Sequence, residues 1–170
     1  MSGTLDEEEQ KLDVQLSVNG REYTVPHSFL AFSGFVQQIR RNDPHIEVIP
    51  ITLPSTIGNV EASMQAIMTY FHYHEEHGPA APIPKPLRSE YLESSGVSEW
   101  DIAFIDKTDQ ELTDLSNLSN YMDIPSLLSL CCAKVGSIMK SIMNKYPTTE
   151  EQMEMVRRRW HGIPDDTNDK

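Results

Sequence analysis

The densest chemistry in this chain lies in YFHYHEEHGP, residues 70–79, where three histidines and two glutamates fill the six positions from His72 to His77. Imidazoles and carboxylates this close together are the raw material of a zinc site or of a metal-dependent hydrolase using His72, His74 and His77. Spacing argues against it. Each helical residue advances by about 100°, so His72 and His74 fall on opposite sides and only His74 and His77 share a face. Zinc-binding pairs on helices stand four apart, whereas HEEH sets its histidines three apart. Solvated histidines at a helix end, with His74 packing its ring, are the expectation, with no metal.

Other catalytic equipment is missing from the sequence. It contains no G-x-S-x-G, G-x-G-x-x-G or Walker-type lysine loop. Cys131 and Cys132 sit in the most apolar segment, where a thiolate is disfavoured and a thiol behaves as a small core residue. The carboxylates show no acid–base arrangement and read as a solvated face. The expectation is a protein that is not an enzyme and takes no cofactor.

The 170 residues suit one domain with room for a tail or loop, and 38% apolar with 24% charged residues is a globular composition. A net charge of −12 repels phosphate backbones. The one compact basic cluster, Arg157-Arg158-Arg159, stands where a helix ends and answers its dipole, so no nucleic acid is expected. No secretory signal opens the sequence. The longest largely apolar stretch, Leu127 to Val135, falls short of the ~20 residues that cross a bilayer, so no membrane partner is expected. Two adjacent cysteines read as free thiols of a reducing compartment, cytoplasm or nucleus.

Positioning elements follow from periodicity. Residues 1–12 read as a flexible acidic tail. Val14, Leu16 and Val18 alternate with polar residues, and Asn19-Gly20 turns the chain into Tyr23 to Val25, a hairpin. A helix opened by Pro26 carries Phe29, Phe32, Val36 and Ile39 on one stripe up to Arg40-Arg41. Ile49, Ile51 and Leu53 form a third strand that tolerates Pro50 only at an edge. Asn59 caps a helix with Val60, Met64, Ile67, Met68 and Phe71. The breakers of GPAAPIPKP begin a long flexible loop at about 78–97.

Beyond the loop, Ser98 caps a segment with Trp100 and Phe104 on one face. Thr108-x-x-Glu111 opens a helix bearing Leu112, Leu115, Leu118 and Met122, and Thr148-x-x-Glu151 opens one bearing Met153, Val156 and Trp160. Between them, Asp123-Ile124-Pro125 starts a longer helix whose apolar residues cover a wide arc. Such an arc is covered on two sides, by the core and either by a second layer of that core or by a partner.

In this order, several words resemble the Skp-type adaptors of SCF ubiquitin ligases, and the similarity covers roughly residues 13–166. VQLSVNGREYTV resembles that family's opening hairpin and ITLP its third strand. AIMTYFHYHEEHGPAAPIP resembles a helix that ends in aromatic and histidine residues before a proline-rich loop. WDIAFID is similar to W-D-x-x-F, and LSNLSNYMDIPSLLSLCCAKVGSIMK to the A-x-N-Y-L-D-I-x-x-L-L-D-x-x-C-x-x-V-A-x-x-I signature. The chain departs from the pattern at Thr113, where the family has a bulky apolar residue.

The resemblance implies an α+β POZ/BTB-like domain: a small three-stranded sheet flanked by helices over 13–145, then a C-terminal helical extension and tail over 146–170. It implies an adaptor that bridges a cullin scaffold and F-box substrate receptors in ubiquitin-dependent protein degradation. Asn120 and Tyr121 inherit a cullin-binding role from it. Leu128, Cys132, Val135 and Met139, at spacings of 4, 3 and 4, inherit an F-box-binding one, together with Val156, Trp160 and Ile163. VRRRWHGIPDD resembles the family's penultimate helix and its exit, and the last helix, ending in Trp-Cys, has no counterpart in the sequence. That difference favours the alternative expectation, a scaffold without ubiquitin chemistry that forms a homodimer through its POZ face.

Overall fold

A computed structural model describes residues 12–160. At the tip of the first hairpin Asn19 and Gly20 adopt φ of 49° and 84°, the left-handed pair that a two-residue turn between right-twisted strands requires. The turn sets the register of β1 (Val14–Val18) against β2 (Arg21–Val25), antiparallel with Leu16 opposite Tyr23. Strand β3 (Val48–Ile51) joins the other side of β1 in parallel, giving the order β2-β1-β3. Val14, Leu16, Val18, Ile49 and Ile51 all turn inward and are buried. Pro50 is accommodated because β3 is an edge strand, as expected.

The crossover from β2 to β3 corrects one expectation. The stripe from Phe29 to Ile39 is not one helix but two, α1 (Phe29–Phe32) and α2 (Gly34–Asn42). Ser33 between them is extended, with φ −111° and ψ 110°, because its side chain has two partners there. Its hydroxyl donates to the Met122 carbonyl at 2.6 Å and accepts from the Val36 N–H at 3.3 Å, the bond of a helix N-cap. The Ser33-Gly34 pair was the available sign of a break inside the periodic run.

Helix α3 (Val60–His77) starts at Asn59, whose side chain caps the Ala62 N–H at 3.1 Å. Its Phe71 meets Phe29 edge to face at 5.2 Å and Phe32 at 5.1 Å, which locks α1 onto α3. After the loop come a 3₁₀ turn (Leu92–Ser95), α4 (Glu99–Phe104), α5 (Asp109–Tyr121), α6 (Pro125–Lys145) and α7 (Thr149–Arg159). Both predicted capping boxes form. The Glu111 carboxylate accepts from the Thr108 N–H at 2.9 Å while the Thr108 hydroxyl accepts from the Glu111 N–H, and Thr148 and Glu151 repeat the arrangement. That backbone hydrogen bond holds the Glu111 carboxyl below its ordinary range.

The arrangement is α+β, a three-stranded sheet and seven α-helices among the described residues, consistent with a POZ-like fold. The described chain divides into two compact units. The first comprises the residues up to Gly78 with Asp114–Leu128, the second Pro79–Thr113 with the residues from Ser129 onward. In the first, Leu115, Leu118, Met122, Ile124 and Leu127 are buried, each such side chain stabilising by about 1.5–3 kcal/mol. In the second, the stretch read as a flexible loop makes definite contacts. The Arg88 N–H donates to the Ser95 hydroxyl at 3.2 Å, the Ser137 hydroxyl donates to the Glu90 carbonyl, and Leu87 lies against Gly136.

By length and composition α6 is long and apolar enough to cross a membrane, with a mean hydropathy of 1.3 over its richest window. This corrects the expectation drawn from Leu127 to Val135 alone, because apolar and small residues continue through Ile142 past the interrupting Ser129 and Lys134. Leu127, Leu130, Cys131, Ile138 and Ile142 are nevertheless buried within the protein, although only a third of the apolar stretch is covered.

Candidate interaction surface

The last turn of α5 carries the first candidate pair. Ile124 N–H reaches back to the Ser119 carbonyl at 2.9 Å and Asp123 takes φ +51°, a left-handed exit from the helix. Asn120 is exposed at this turn, and its side chain makes no hydrogen bond among the described residues. Tyr121 is half-buried, its hydroxyl donating to the Thr52 carbonyl at 2.9 Å and its ring 5.2 Å from Phe35. The two residues therefore differ. Tyr121 ties the end of α5 to the exit of β3 and to α2, while Asn120 is presented outward. Phe35 and Thr52 are parts of this surface that sequence reasoning did not single out, since their role arises only from the folding of three separate segments against one another.

The second candidate is the outer stripe of α6. Leu128, Val135 and Met139 are half-buried and Cys132 is exposed, so none of the four is enclosed in the core. Leu130 on the opposite side and Cys131 and Ile138 on the flank are buried. The adjacent cysteines thus sit in different surroundings. Burial pushes the Cys131 thiol up to about 12, which keeps it protonated and inert at neutral pH.

On α7 no residue is buried. Val156 and Trp160 are half-buried and Met153 is exposed, so this stripe is not a core stripe. Gln152, one turn before Val156 on the same face, ties α7 to the end of α6: its side-chain amide donates to the Met143 carbonyl at 3.3 Å and to the Tyr146 carbonyl at 2.9 Å. Ile163 and residues 1–11 of the expected tail lie outside the described residues.

The histidines have other engagements. His74 Nδ1 lies 2.9 Å from the Gly78 carbonyl oxygen and His77 Nδ1 2.9 Å from the Tyr73 carbonyl oxygen, and each donates there as the Nδ1–H tautomer. His77 also stacks on Tyr73 at 4.2 Å, and His72 is exposed. Among the described residues no group of three or more His, Cys, Asp or Glu side chains is placed to hold a metal ion.

No protein-family model matches the chain. Individual relatives do. An S-phase kinase-associated protein 1 homolog of Tetrahymena thermophila is 39% identical over 82 residues, a match spanning 48% of this chain and 46% of that protein. SKP1-like protein 10 of Arabidopsis thaliana is 31% identical over 119 residues, covering 64% of this chain and 68% of the relative. SKP1-like protein 3 of the same plant is 25% identical over 164 residues, covering 90% and 97%. The chain thus spans about half the length of the first relative, two thirds of the second and nearly all of the third.

Proposed function

The chain belongs to the SKP1-like protein family, and from that premise we propose that it is a non-catalytic adaptor of an SCF-type ubiquitin ligase in the cytoplasm and nucleus. One end takes a cullin, through the surface around Asn120 and Tyr121. The other takes F-box substrate receptors, through Leu128, Cys132, Val135 and Met139 on α6, with Val156, Trp160 and Ile163 completing the surface. The observation that carries this reading is the outer stripe of α6, which is apolar, continuous over three turns and only half covered. Leaving such a face wet is unfavourable by roughly 25 cal/mol per Å², and an amphipathic receptor helix laid along it needs no reactive group.

Asn120 supplies the test. Because its side chain is exposed and supports nothing else among the described residues, Asn120→Lys should remove cullin from affinity-purified complexes and leave the circular dichroism unchanged. Tyr121→Phe, which keeps the ring on Phe35 and loses only the bond to Thr52, should retain it. Cullin recovered undiminished with the lysine variant would reject the adaptor assignment for this surface.

A further inference from the structure

Beside the α6 stripe, the ends of α6 and α7 line an open cavity of about 340 Å³ whose wall combines Ile142, Tyr146 and Met155 with Lys145, Arg158 and Arg159. At about 100° per residue, Lys145 lies roughly 120° around α6 from Met139, and Arg158 stands on the far side of α7 from Val156 and Trp160. Ile142 nevertheless continues the stripe of Leu128, Cys132, Val135 and Met139, and the Arg159 guanidinium lies over the Trp160 ring at 5.7 Å, so the cavity adjoins the surface proposed to hold a receptor helix and its use rests on that reading.

Its cations are oriented but not used up. Arg158 donates through Nε to Glu154 at 2.8 Å, and Arg159 through Nε to Asp109 at 3.0 Å. In each case the carboxylate sits at the Nε edge, and the Nη groups make no hydrogen bond among the described residues. A guanidinium held in this way presents its remaining N–H fork in a fixed orientation. Lys145 lies over the Tyr146 ring at 5.6 Å and meets no carboxylate at ion-pair distance among the described residues.

The charge balance narrows the ligand. The cavity lies at the C-terminal ends of two helices, each carrying a partial charge of about −0.5, which the cations first offset. A bare oxyanion therefore gains little, and the apolar wall must contribute for binding to be favourable. The net charge of −12 opposes nucleic acid on a larger scale. We propose that this cavity binds an acidic peptide segment of a partner protein, with an aliphatic or aromatic residue set against Ile142 and Met155 and flanking carboxylates on Lys145 and Arg158.

The probe is a fluorescein-labelled peptide, Glu-Glu-Leu-Glu-Glu, titrated with the full chain by anisotropy, beside its glutamine counterpart and inorganic phosphate. The acidic peptide binds at least tenfold more tightly than the glutamine one, and Lys145→Glu and Arg158→Glu each weaken it by about tenfold, the effect of one charged hydrogen bond. Both residues are exposed, so neither variant threatens the fold. Met153→Ala and Asn120→Lys leave binding unchanged, which separates failure here from failure of the adaptor reading. Equal binding of the two peptides, variants that bind like the parent, no binding of the acidic peptide, or its displacement by phosphate of equal affinity would each overturn the proposal.

Discussion

Asp114 shows how a single side chain can decide the geometry of a distant turn. It is 5% exposed, and its carboxylate accepts from the N–H groups of Gly58 and Asn59 at 3.3 and 3.2 Å, holding the entry to α3. Such an arrangement demands glycine at 58, because a Cβ there would lie 2.5 Å from one carboxylate oxygen and 2.7 Å from Cγ. Gly58→Ala should therefore lower stability by about 1–3 kcal/mol, the cost of pushing a buried carboxylate off its donors. Urea denaturation measures this, and an unchanged midpoint would mean that the carboxylate is not held as described. Nothing in the sequence pairs Gly58 with Asp114, which stand 56 positions apart and follow no shared period.

Among the elements, α6 is the one whose two sides face different surroundings, and its adjacent cysteines report on them. Iodoacetamide at about pH 8 should add one label to the native chain, at exposed Cys132, and a second only after unfolding frees Cys131. The raised folded-state value means that the neutral Cys131 thiol favours the native state fully below its ordinary value of 9.0. That contribution is lost as pH rises toward about 12. An F-box helix lying on the outer stripe should slow labelling of Cys132, which mass spectrometry follows directly. Two labels on the folded chain would show that the inner arc is not closed. The width of the apolar arc was legible from Ile124 to Ile142, but which residues stay half wet was not, since periodicity records hydrophobicity and not what covers it.

For the molecule as a whole, the adaptor and the self-associating scaffold differ in what covers the apolar faces in solution. Sedimentation of the full chain should give a monomer that gains mass with an F-box helical peptide, whereas a dimer indifferent to the peptide would support scaffolding. The sequence by itself determined the hairpin turn, the three strands, the caps at Asn59, Ser98, Thr108 and Thr148 and the buried run from Leu112 to Met122. These are local choices of backbone conformation and side-chain period, written within a few residues of where they act. Only the tertiary structure decided that Ser33 splits the first helical stripe to reach Met122, that Tyr121 is bound to Thr52 and Phe35 while Asn120 is presented outward, and that Lys145 meets Arg158 and Arg159 around one cavity. Each of those outcomes joins groups far apart along the chain, and a contact of that kind has no local signature because only packing brings its partners together.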